Sequence, residues 1–208
     1  MNGPVFISPD FDKAYAGLVA VEGGYASNPA DAGGETYRGI SRKHWAAWSG
    51  WPLVDAHKSQ SGNSLKALNG ALDGDSEVQK LVKSFYYDQF WAAVRGPELD
   101  HRVACELFDT AVNMGVSTAI TMLQDVLNLF NNKGTSWGDL PLTGKFLSKT
   151  MDAVQAMAAL DGWPFLAAVL NLRQASRYFD IMRANPGQEV FARGWLRARV
   201  LKQMEACA

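Results

Sequence analysis

Apolar side chains recur at helical spacing along most of this chain. In DSEVQKLVKSFYYDQFWAAV (residues 75–94), Val78, Leu81, Val82, Phe85 and Phe90 share one face, which predicts an amphipathic helix. HRVACELFDTAVNMG and VSTAITMLQDVLNLF read as two more helices, over 101–115 and 116–130, with Gly115 as the stop between them. KFLSKTMDAVQAMAAL, GWPFLAAVLNLRQASRYFDIMRAN and QEVFARGWLRARVLKQM carry the pattern to the end of the chain. Near the start, PDFDKAY opens a helix over 9–22, capped by Asp10 or Asp12 and stopped by Gly23 and Gly24. SRKHWAAW (41–48) predicts a short helix that ends at Gly50-Trp51-Pro52, and the polar stretch 53–75 shows no clear boundaries. Few segments alternate with period two. The expectation is an all-α or strongly α-dominated fold with a small β-hairpin between residues 25 and 40. The helices are interrupted at NNKGTSWGDLPLTG (131–144), which predicts a main domain over 1–130 and a helical second one over 131–208.

The stretch VEGGYASNPADAGGETYRGI (21–40) breaks this pattern, being rich in glycine and carrying three carboxylates. Glu22 falls at a helix C-terminus, where the dipole disfavours an anion, and a partly apolar setting adds a desolvation cost. Both raise a carboxyl pKa, as a general acid requires. A loop of Gly and Pro can turn Asp31 back toward Glu22, and Thr36 can hold a water through its hydroxyl. Two carboxyls and a hydroxyl suit the breaking of a glycosidic bond. A structural reading stands beside this one: a solvated Glu22, and an Asx-turn at Asp31 followed by Gly33 and Gly34. Metal binding by Asp31 and Glu35 does not match the spacing of a calcium loop.

Other residues are candidates for the same groove. Asp109 and Asn113 are four apart and share a helix face. They form either a polar pair that caps a neighbouring loop or a site where Asn113 donates to a sugar and Asp109 orients it. Tyr25 and Tyr37 flank the acidic stretch, to stack on a sugar or to anchor the loop. Arg177, Tyr178 and Trp195 either bind sugar or peptide or pack helices together.

Composition narrows the classes. Of 208 residues, 48% are hydrophobic and 20% charged, with a net charge of -1, which describes a folded protein. A near-neutral balance argues against a dedicated nucleic-acid binder. His44, His57 and His101 lack metal-site spacing, and there is no P-loop, Rossmann fingerprint or CxxC, so neither metal nor cofactor is expected. Cys105 sits in an apolar helical pattern as a small core residue, and Cys207 in a tail expected to fray. A classical signal peptide and a membrane-length apolar run are both lacking, so no stable membrane insertion is expected. The protein is expected to be a monomer made in the cytoplasm.

Glu22-Gly23-Gly24-Tyr25, Pro29, Asp31, Gly33-Gly34, Thr36 and Gly39-Ile40 together resemble the signature of the glycoside hydrolase family 108 N-acetylmuramidases, in the lysozyme-like superfamily of bacteriophages and bacteria. DTAVNMG (109–115) is similar to that superfamily's D-x-x-VNxG helix end. WGDLPLTG (137–144) resembles the start of a small peptidoglycan-binding domain, although the usual DG-x-x-GP is here GDLPL. Arg173, Arg177-Tyr178-Phe179, Phe191, Gly194-Trp195 and Arg197 or Arg199 resemble its end. The resemblance implies a lysozyme-like fold and hydrolysis of the β-1,4 bond between N-acetylmuramic acid and N-acetylglucosamine. Glu22 becomes the general acid, Asp31 the base or the stabiliser of positive charge on the sugar, and Thr36 the residue that orients water. Likeness to phage-type lysozymes favours inversion. No metal is implied. Peptidoglycan glycan strands are the implied partner of an autolysin, or of a phage endolysin released through a holin pore to act on the wall. The competing expectations are a non-catalytic wall-binding or morphogenesis protein and a lytic transglycosylase.

Overall fold

The computed structural model describes residues 9–19, 23–27, 34–62 and 64–201. The elements run α1 (Pro9–Val19), β1 (Tyr25–Ser27), β2 (Glu35–Tyr37), β3 (Ile40–Ser41), α2 (Trp51–Ser61), α3 (Leu65–Gly74), α4 (Ser76–Tyr86), α5 (His101–Met114), α6 (Val116–Leu129), α7 (Ser148–Asp161), α8 (Trp163–Ala184) and α9 (Ala192–Trp195). Short π-helical segments follow α4 and α9. The fold is strongly α-helical with one small sheet, as the apolar periodicity predicts. No single helix among the described residues is long and apolar enough to cross a membrane. The chain divides into two compact units, residues 1–89 and 90–208. The boundary expected at 130/131 falls inside the second unit.

In the first unit, Phe11 of α1 is fully buried and meets Tyr87 edge-on at 5.1 Å. Three antiparallel strands follow, in the order β1-β2-β3. Tyr25 pairs with Tyr37, and Tyr37 with Ile40, so these three buried side chains form one row facing the core. The β2–β3 turn has both central residues at positive φ, Arg38 at 47° and Gly39 at 76°, the backbone of a type I′ hairpin. Arg38 is held in this left-handed conformation from both ends. Its guanidinium pairs with Asp73 at 2.6 Å, and its carbonyl accepts from the Tyr86 hydroxyl at 2.7 Å.

Ser41 ends β3 and residues 42–48 form successive turns, not the helix that SRKHWAAW predicts. Aromatic packing overrides the local propensity here. The Trp51 indole donates to the Trp45 carbonyl at 2.8 Å, and Trp48 packs edge-on to Trp51 at 5.2 Å. A Cβ at position 50 would lie 2.3 Å from the Trp48 ring, so only glycine fits. Gly50-Trp51-Pro52 opens α2 and does not close a helix, since proline in the first turn has no amide to leave unpaired. The stretch without clear boundaries resolves into α2 and α3. Ser64 caps α3 and Asp75 caps α4 through side-chain oxygens.

In the second unit, α5 and α6 are joined at Gly115 (φ 89°), and α7 and α8 at Gly162 (φ 86°). Val103 and Leu107 of α5, Leu123 and Leu127 of α6, Val154 of α7, and Leu166 and Leu170 of α8 are buried. Polar contacts cross this interior. Glu106 of α5 is 3% exposed and accepts from the Asn171 amide at 3.2 Å. Burial, reinforced by the charge of Asp109, pushes the Glu106 carboxyl up to about 8. The irregular stretch after α6 is fastened by amide side chains of that helix and its end. Gln124 accepts from the amides of Thr143 at 2.9 Å and Gly144 at 3.2 Å, and donates to the Lys145 carbonyl at 3.0 Å. Asn128 both donates to and accepts from the Leu140 backbone, at 2.8 and 2.7 Å.

Candidate active site

Glu22 and Asp31 lie outside the described residues. Thr36, the third expected member, is half-buried at the centre of β2, opposite Ala26 on one side and Ser41 on the other. Strand alternation puts it on the face away from the Tyr25, Tyr37 and Ile40 row. The sheet fixes the Thr36 backbone from both edges.

The two flanking tyrosines are anchors. Tyr37 has no exposed surface, and its hydroxyl accepts from the Gln79 amide at 2.9 Å. Tyr25 is buried, its hydroxyl donating to Glu35 Oε1 at 2.6 Å and its backbone amide to Asn69 Oδ1 at 2.7 Å. Asn69 comes so close that a Cβ on residue 24 would sit 2.3 Å from its oxygen. Gly24 is therefore set by a close approach.

Sequence reasoning passed over the charge cluster beneath this hairpin. Glu35 accepts from Lys58 Nζ at 2.7 Å and pairs with Arg42 Nε at 2.8 Å, in addition to Tyr25. Burial alone would raise its pKa. The hydrogen bonds from Lys58 and Tyr25, with the Arg42 charge, outweigh that and hold the carboxyl below its ordinary value. Arg42 also pairs with Asp55 at 2.7 Å and stacks over Trp51 at 4.3 Å. These partners are scattered over β1, β2, the following turns and α2, so no local motif announces them.

Asp109 and Asn113 occupy the C-terminal half of α5, in the second unit. The Asp109 carboxylate accepts from Gln174 at 2.8 Å and from Arg199 at 2.6 Å. Exposed Asn113 donates to the Asp109 carbonyl at 2.8 Å. Asp109 thereby ties α5 to α8 and to the π-helical segment after α9. Of the three expected wall-binding residues, Tyr178 is buried and stacks on Trp195 at 4.9 Å, and Trp195 stacks on Phe191 at 5.7 Å. These two pack helices. Arg177 is exposed, in a shallow cleft with Arg173, Ser117 and Thr121.

Two family models match the chain. One described as glycosyl hydrolase 108 matches residues 15–115, and one described as a predicted peptidoglycan domain matches residues 118–200. Among solved structures the chain is similar to that of Brucella abortus SagA, at 23% identity over 95% of this chain and 92% of that one, with a TM-score of 0.61. At this identity the likeness speaks for the fold. No curated protein matches the chain.

Proposed function

We propose, from the match of a glycosyl hydrolase 108 model over residues 15–115 and of a predicted peptidoglycan domain model over residues 118–200, that the chain cuts the β-1,4 bond between N-acetylmuramic acid and N-acetylglucosamine. Glu22 protonates the leaving glycosidic oxygen. Positive charge builds on the sugar ring, and Asp31 either offsets it or takes the proton of the attacking water. Thr36 orients that water, and attack from the opposite face inverts the anomeric centre.

The observation that carries this reading is the state of Glu35. It stands one residue before Thr36 and is clamped by Tyr25, Lys58 and Arg42. A carboxyl held below its ordinary pKa has no proton to give near neutrality, so Glu35 does not compete for the acid role. Its contribution is positional: it cross-links β1, β2 and α2 around a strand that presents Thr36 on a fixed backbone. A reacting group held by such a supporting shell keeps the alignment that catalysis needs.

Mass spectrometry of purified peptidoglycan digested by the full chain tests the proposal. Reducing N-acetylmuramic ends are expected. Anhydromuramic ends would identify a lytic transglycosylase, and intact glycan strands would leave a non-catalytic wall protein.

A further inference from the structure

We propose that an open cleft of 440 Å³ between residues 136–140 and α7 is the seat of a peptidoglycan sugar, stacked on Trp137. The inference rests on the function proposed above and locates the wall contact in the second domain. One wall is Trp137, half-buried, with its indole N–H donated to the Leu127 carbonyl at 3.1 Å. The other wall is a single face of α7: Lys149, Asp152, Ala153 and Ala156, spaced at i, i+3, i+4 and i+7. The two alanines leave room for a ring between helix and indole. Asp139, Lys149 and Asp152 supply acceptors and a donor at the rim. A large aromatic surface ringed by a few polar groups suits a pyranose, which has apolar C–H faces and an equatorial belt of hydroxyls.

The backbone of this loop gives the second argument. Asn132 (φ 52°), Lys133 (φ 58°) and Gly134 (φ 79°) stand consecutively in the left-handed region, where two of the three bear side chains that disfavour it. Buried Asn131 maintains this bend. Its amide donates to Asp139 Oδ1 at 2.6 Å, and its carbonyl oxygen accepts from the Gly134 amide at 3.0 Å. A strained turn fastened so firmly and presenting Trp137 and Asp139 side by side is a pre-organised binding surface. The competing candidates in this domain, Tyr178 and Trp195, are occupied with each other.

Co-sedimentation of the full chain with insoluble peptidoglycan, together with cleavage of short soluble glycan chains, tests the inference. Wild type is expected to sediment. Trp137→Ala and the cleft-filling Ala156→Phe should each weaken binding at least tenfold while soluble cleavage and circular dichroism stay as in wild type, with a lower Tm expected only for Trp137→Ala, which loses the bond to Leu127. If loss of the indole hydrogen bond unfolds the first variant, Ala156→Phe and the exposed Lys149→Ala decide. Wild-type binding by folded Ala156→Phe overturns the inference. So does a wild type that cleaves soluble glycans but stays in the supernatant, which leaves the proposed hydrolysis standing. A wild type that sediments through this cleft but cleaves nothing supports the inference and removes the hydrolysis.

Discussion

Two hydrogen-bond donors, Tyr25 and Lys58, and the charge of Arg42 keep the Glu35 carboxylate ionised, and this shapes what substitution should do around it. Glu22→Gln keeps the shape of the acid but has no acidic proton, so turbidity clearing of cell walls should fall by roughly 10²–10⁴-fold, with unchanged circular dichroism. Asp31→Asn should cost about 10²-fold and Thr36→Ala only about tenfold, because a charge facing the transition state outweighs a hydroxyl that aligns water. Equal rates for wild type and Asp31→Asn would remove Asp31 from the chemistry. In the second unit, Glu106 has its pKa raised from an ordinary 4.5 to about 8. The folded state then holds a proton that the unfolded state releases. Stability should therefore decline as pH rises from the ordinary carboxyl pKa toward 8, by at most about 1.4 kcal/mol per pH unit, and level off above. Glu106→Gln should flatten that decline, which urea melts at pH 5 and pH 8 can measure. The individual residues were unevenly legible in sequence. The expected set of Glu22, Asp31 and Thr36 came from one short stretch of sequence and its resemblance to a family signature, and of the three only Thr36 lies among the described residues. Glu35 was hidden, because what makes it informative is Lys58, far along the chain on another element.

At the scale of elements, glycine punctuation reads well. Gly115 and Gly162 end helices at positive φ where the pattern of apolar residues places the breaks. The hairpin was legible from its breakers, although its third strand and its Arg38-Gly39 turn were not. Residues 41–48 misled because Trp45 and Trp48 mimic helical periodicity, while Trp45 packs on Phe85 and Trp48 on Trp51. The four-residue offset of Asp109 and Asn113 was visible, but the further partners of Asp109, Gln174 and Arg199, arrive from distant segments. Gly144→Ala provides a check at this scale. Its Cβ would meet the Ser117 carbonyl at 2.8 Å, at a φ of 66° that alanine disfavours. A loss of about 1–3 kcal/mol is expected in chemical denaturation. A change within error would mean that the loop relaxes freely away from α6.

At the scale of the whole molecule, the family matches divide after residue 115, whereas the compact units divide after Gln89. Helix α5 falls within the glycosyl hydrolase 108 match by sequence and within the second unit by packing. A fragment of residues 1–130 would keep α5 and α6 but lose α8, baring Leu107, Leu123 and Leu127 and stripping Glu106 and Asp109 of Asn171, Gln174 and Arg199. Such a fragment should be insoluble or molten, with dye-binding apolar surface. A soluble fragment with sharp thermal unfolding would restore the boundary that composition suggested at residue 131. The amide side chains that fasten residues 140–145 to α6 carry one more consequence, on the time axis. Irregular backbone normally trades its amide hydrogens with solvent quickly, since brief local fluctuations suffice. Here the amides of Leu140, Thr143 and Gly144 are bonded to Asn128 and Gln124, and are freed only when those side chains let go. In deuterium exchange these three hydrogens should persist about as long as those in the middle of α6, and Gln124→Ala should release those of Thr143 and Gly144 while sparing that of Leu140.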